Sequence, residues 1–157
     1  MKKHFRYLWY VIRHKWFVFV ECCKLGIPWL GIIHDWQKLT FMEWRAYSWT
    51  FSAGYAWDER PEWLVKEFDY AWLHHQKFGK HHWQYWLLVQ DSDEPKCLEM
   101  PYKYILEMLA DWIGAGKAIN GKDNDPLKWY LDNKQKIQLH PKTRRHVETY
   151  LFCRYDQ

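Results

Sequence analysis

The sequence predicts a mainly helical, all-α fold with at most one small β-hairpin, placed near residues 84–100. Three observations lead there. Apolar residues dominate two sides of the opening segment from His4 to Lys24. Pro and Gly fall singly, at positions where helices start or stop. Only one polar stretch, Asp91-Ser92-Asp93-Glu94-Pro95, has the form of a turn between short strands. The 157 residues fit a single domain spanning 1–157, because one core usually serves about 100 to 200 residues. With 48% hydrophobic and 20% aromatic residues, the chain has apolar area enough to offset the entropy of ordering its backbone.

Each element follows from its punctuation. Gly26 and Pro28 end the first helix, which carries His14, and a second begins near Pro28 and carries Gly31-Ile32-Ile33-His34-Asp35-Trp36-Gln37-Lys38. Thr40-Phe41-Met42-Glu43 has the form of a capping box, so a third helix starts there and ends near Gly54. Pro61 suits the first turn of a fourth, where its missing donor has no intrahelical partner; that helix runs through Glu67 and Trp72 to His74 and His75, and Gly79 interrupts it. Trp83–Gln90 and Lys96–Met100 read as strands, with helix as a competitor for the first. Pro101 opens a helix bearing Glu107 and Asp111 that ends around Gly114–Gly121, and Asp125-Pro126 and His140-Pro141 open two more.

Composition narrows the partners. The formal charge of +4 suits an anionic ligand, but the basic residues are spread along the chain, so nucleic-acid binding is possible and unsupported. Cys22, Cys23, Cys97 and Cys153 show no CxxC spacing and read as reduced thiols, which points to the cytoplasm. Arg6, Arg13, His14 and Lys15 break the opening apolar stretch, which fits neither a signal peptide nor a membrane span, and leaves a surface-lying N-terminal helix open. No GxSxG, GxxxxGK[ST] or dinucleotide-type Gly loop is present, and neither Cys22 nor Cys97 has the surroundings of a nucleophile. Lys142, Arg144, Arg145 and His146 gather at the start of the last helix, where a solvated face explains them.

Chemistry concentrates in the histidines. Six of the nine lie at positions 14, 34, 74, 75, 81 and 82, on segments flanking predicted helix ends, and such a set can offer imidazoles to a transition metal. Neighbours on a helix point about 100° apart, so His34 and Asp35 can share one ion only where the helix ends. Glu107 lies one turn before Asp111 and reads either as a group that orients ligands or as an exposed charge.

The order His14, then His34-Asp35 with Lys38 three residues on, then Asp111, resembles the HD superfamily of metal-dependent phosphohydrolases. That resemblance implies an HD-like helical bundle in which His14, His34, Asp35 and Asp111 hold a divalent metal, with Lys38 on a substrate phosphate. It also implies that His75 and His82 hold a second ion, as in binuclear members, and that His74 and His81 meet the substrate. Asp35, Lys38, His75 and His82 are then the groups that carry catalysis. The metal is one of Mn, Fe, Co, Zn, Ni or Mg, as one or two ions. Segments from Trp72-Leu73-His74-His75 through Leu139-His140-Pro141-Lys142-Thr143-Arg144 also look like a bacterial and phage family with HDLSKF-like and doubled HH motifs, whose function is unassigned. This sequence departs from it at Trp36-Gln37, Leu39 and Gly79-Lys80.

The expected function is hydrolysis of a phosphate ester, in a nucleotide or another small phosphorylated metabolite, by a metal-activated water. Two alternatives stand beside it: an HD-fold di-iron oxygenase, and a non-enzymatic phage or host interaction module whose histidines are structural.

Overall fold

A computed structural model describes residues 2–91, 94–121 and 124–155. The first helix, α1 (Lys2–Lys24), buries Tyr7, Val11, His14, Val18, Glu21 and Cys22, a stripe at three- and four-residue spacing. Its main partner is α5 (Tyr102–Asn120). The two backbones come close because Gly114 lacks a side chain: a Cβ there would lie 2.5 Å from Val18 Cγ2 and 2.8 Å from Val18 N. Val18 is one turn beyond His14 and Gly114 nearly one turn beyond Asp111, so this contact sets those two side chains at the same height.

Gly26, at φ 75°, lets the chain turn out of α1, and Pro28 occupies the start of the short α2 (Pro28–Ile33). The second helix does not carry the expected run through Lys38: it stops at Ile33, where His34 and Asp35 leave helical geometry. A 3-10 turn (Trp36–Leu39) carries Gln37 and Lys38, and α3 (Phe41–Ser52) follows. α3 and α4 (Glu62–Phe78) pack on each other and on α1 around Tyr7, Val11, Ala46, Tyr47 and Ala71. A second core, of Ile105, Met108, Leu109, Tyr130, Val147 and Leu151 among others, joins α5 to α6 (Pro126–Asn133) and α7 (Pro141–Tyr155). A third, smaller cluster of Val18, Cys22 and Ala110, with Leu25 and Ile27 packed against it, lies where α1 meets α5. Beside it, buried Glu21 accepts from Lys117 at 2.6 Å and from Lys24 at 2.7 Å, tying α1 to α5.

The expected helical fold with one small hairpin is what the chain adopts. β1 (Leu87–Leu88) pairs antiparallel with β2 (Lys96–Cys97), Leu87 opposite Cys97. Ser92 and Asp93 of the expected turn lie outside the described residues. Three further local expectations need correction. Trp83–Trp86 is a 3-10 turn, so the first strand is shorter than the run Trp83–Gln90 suggested. Pro61 sits one residue before its helix rather than inside the first turn, whereas Pro101 opens α5 as expected. The capping box does not form: Thr40 Oγ1 donates to Gln37 O, and Glu43 is buried against histidines of α4. Asp125 does cap α6, accepting from Lys128 N at 2.9 Å.

Candidate metal centre

The decisive local event lies between α2 and the 3-10 turn. His34 leaves the helix at φ −51°, ψ 131°, and Asp35 adopts the left-handed conformation at φ 52°, ψ 32°. It is the only described residue other than glycine with positive φ. An aspartate tolerates this conformation better than most side chains, though at some cost. What the bend achieves is geometric: adjacent side chains that a helix would splay now face one point.

Asp35 is buried, and its two carboxylate oxygens face two different sets of groups. Oδ2 lies 3.2 Å from His14 Nε2 and 3.2 Å from His34 Nε2, and both imidazoles are 3.3 Å from Asp111 Oδ1. Oδ1 lies 3.4 Å from His75 Nε2 and 3.3 Å from His81 Nε2, with His82 in the same group. Each set offers one ligand atom per residue within 4.8 Å of the others. His34 Nε2, His81 Nε2, His82 Nε2 and Asp35 Oδ1 are buried and make no hydrogen bond among the described residues. Buried imidazole and carboxylate atoms without partners are costly unless something binds them, and nitrogen and oxygen donors of this kind suit a divalent transition metal. The residues fit one or two such ions, with Asp35 shared.

Two glutamates orient the imidazoles from behind. Glu107 Oε1 accepts from Nδ1 of His34 at 3.1 Å and faces Nδ1 of His81 at 3.3 Å, so one carboxylate turns a histidine of each set inward. Glu43 Oε2 receives Nδ1 of His75 at 3.0 Å. Such partners fix the tautomer that leaves Nε2 free for a metal. His74, one residue earlier, points about 100° away on α4; its Nδ1 meets Glu43 Oε1 at 2.6 Å, and it stands outside both groups. His81, expected against a substrate, instead stands in the second set. Gly79 makes that placement possible, since a Cβ there would lie 2.6 Å from the His82 ring and 3.2 Å from that of His81.

The charges interlock. Burial would raise the Asp35 and Asp111 carboxyls, but the surrounding imidazoles, joined at Asp35 by Lys38, hold both well below the usual range. Burial would lower His34, yet Asp35, Asp111 and Glu107 lift it well above an ordinary histidine. His14 has fewer such partners, and burial with the Lys38 charge pushes it down to about 4. Lys38 Nζ lies 2.5 Å from Asp35 Oδ2 and 3.3 Å from His14 Nε2; against burial, Asp35 keeps it firmly cationic.

A family model described as "Family of unknown function (DUF5662)" matches residues 3–152, nearly the whole chain. The chain belongs to this family. No curated protein and no solved structure gave a significant match.

Two cavities open onto the centre of this family member. One, of about 260 Å³, is lined by Tyr7, Tyr10, His14, Lys38, His75 and Asp111 among others. The other, of about 420 Å³, is lined by Trp83, Trp112, Trp129, Gln84 and His81 among others, and Trp72, His82 and Asp111 border both. Sequence reasoning brought forward His14, His34, Asp35, Lys38, His75, His82 and Asp111, and the fold gathers all seven. It missed Glu43 because Thr40-x-x-Glu43 satisfied a local pattern, and it left Glu107 undecided. The tyrosines gave no signal beyond the helical register they share with His14.

Proposed function

We propose that this protein is a metal-dependent phosphohydrolase of the HD type, acting on a nucleotide or another small phosphate ester. The observation that carries the reading is Asp35, whose two oxygens stand between two sets of inward-turned imidazoles. His14, His34, Asp35 and Asp111 would hold one divalent ion, and Asp35, His75, His81 and His82 a second. Ions held there supply a Lewis acid that acidifies water and neutralises phosphoryl charge. Lys38, cationic and at the edge of the smaller cavity, binds a phosphoryl oxygen and places phosphorus beside the first set. His82, which burial and the neighbouring His81 and His75 keep neutral, would offer an unprotonated Nε2 to the second ion. Trp83, Trp112 and Trp129 offer faces for a planar heterocycle, and Gln84 Oε1 is a buried acceptor without a partner among the described residues. Those features favour a nucleotide over a simple sugar phosphate.

The test is elemental analysis of protein purified without chelator, with phosphate release measured on a panel of phosphorylated metabolites. Wild type is expected to carry a divalent metal and to release phosphate; His34→Ala and Asp35→Ala are expected to lose both. Turnover that consumes oxygen on a pair of irons would replace this reading with an oxygenase. Metal-free protein that turns over nothing would leave the histidines structural.

A further inference from the structure

α1 has two apolar stripes of the same period. Tyr7, Val11, His14 and Val18 face the core, while Phe5, Trp9, Ile12 and Trp16, at the same spacings of four, three and four, face the opposite way. Residues two apart on a helix lie about 200° from each other, so the second stripe is the outer face. It is bare: Phe5 is 73% exposed, Trp9 58% and Trp16 61%. Gly31 of α2 seats against Phe19, and the outer residues Trp29, Ile32 and Ile33 extend the surface. Aromatic side chains carry roughly 150–250 Å² each, so three Trp and a Phe already exceed the few hundred Å² that monomers usually leave uncovered. A helix apolar on both sides normally has something on both.

Charge identifies what covers it. Lys2, Arg6 and Arg13 form one row along the flank of the outer stripe, and none pairs with a carboxylate among the described residues. The other cations of α1 are engaged: Lys15 at His34 O, Lys24 at Glu21 and Lys3 over the Trp49 ring. The helix has a single acid, Glu21, which is buried. A second copy meeting this face with its α1 antiparallel would set one basic row beside the other. A surface of anionic lipid instead offers phosphates to the row and an acyl boundary to Trp and Ile, the arrangement that interfacial helices use. Among the described residues no helix is long and apolar enough to cross a membrane, so the contact is one of lying on the surface.

We infer that the outer face of α1, with Trp29, Ile32 and Ile33 of α2, docks on anionic membrane surfaces. The experiment is co-sedimentation of the full chain with vesicles of equal parts phosphatidylglycerol and phosphatidylcholine, against phosphatidylcholine alone, at low and high salt. Binding is expected on the anionic vesicles and reduced by salt. Each basic residue near such a surface strengthens binding about five-fold, so the Lys2→Gln/Arg6→Gln/Arg13→Gln variant should bind on the order of 100-fold more weakly. Trp9→Ser/Trp16→Ser should abolish binding; both variants change exposed side chains, and circular dichroism with thermal melting checks that they fold. No binding by folded wild type, or equal binding to both vesicle types, overturns the inference. So does a stable dimer in sedimentation velocity that Trp9→Ser/Trp16→Ser dissociates, because the face then belongs to a second copy.

Discussion

Asp35 concentrates the chemistry into one side chain, and its neighbours divide the consequences. Glu107 reaches a histidine of each ligand set, whereas Glu43 reaches His75 alone in the second. Loss of an orienting carboxylate typically weakens metal binding about 10- to 100-fold. Glu107→Gln should therefore weaken both metal equivalents by that factor, and Glu43→Gln only one, as titration calorimetry with Mn or Zn would resolve. A uniform effect of Glu43→Gln on both would contradict the assignment of His75. Lys38→Met should keep the metal and reduce kcat/KM for phosphate release about 100- to 1,000-fold; a variant that sheds its metal would make Lys38 a structural group. At this scale the sequence was most legible in the adjacent pair His34-Asp35, and at Asp111 through the motif order that resembles the HD superfamily. It was least legible at Glu43, where a helix-start pattern and an orienting role look the same until the fold shows what the carboxylate touches.

Elements are placed by small residues at contacts. Gly114 permits the approach of α5 to α1, and the nearest atoms to a Cβ there are the backbone and branched side chain of Val18, neither able to swing aside. Gly114→Ala should cost about 1–3 kcal/mol, read as a lower denaturant midpoint, and should separate His14 from Asp111 enough to lower metal affinity. An unchanged midpoint would mean the helices can slide apart freely. Helix starts and stops were readable from Pro28, Gly79, Asp125-Pro126 and Pro141, because those residues act through local backbone geometry. The interruption at His34-Asp35 was not, since Ile32 to Lys38 contains no Gly or Pro. There the tertiary gain of aiming two ligands at one point outweighs the local preference for continuing the helix.

Across the whole molecule, Glu21 joins the two helices that carry His14 and Asp111. Burial would raise its pKa, but Lys117 and Lys24 outweigh that and leave it lowered. A depressed folded-state pKa gives stability that is fully present above the unfolded-state value and is lost as pH falls through the folded one. Glu21→Gln should thus destabilise by about 1–3 kcal/mol at neutral pH, allowing for the partly exposed lysines. The difference from wild type should vanish towards acid, as urea unfolding at a series of pH values would show. A deficit independent of pH would assign the effect to packing.

The buried apolar cluster at the seam where α1 meets α5 is small: Val18, Cys22 and Ala110, with Leu25 and Ile27 packed against it. The residues that could hold a metal come from both sides of it: His14, His34, His75 and His81 from the part built on α1 to α4, Asp111 from α5. A cation held there would act as a rivet through that seam, and occupancy would be a mechanical property as well as a chemical one. At a free-metal level of 100 Kd the gain is about 2.7 kcal/mol, so chelation should lower the melting temperature and widen hydrogen exchange first along the seam where α1 meets α5.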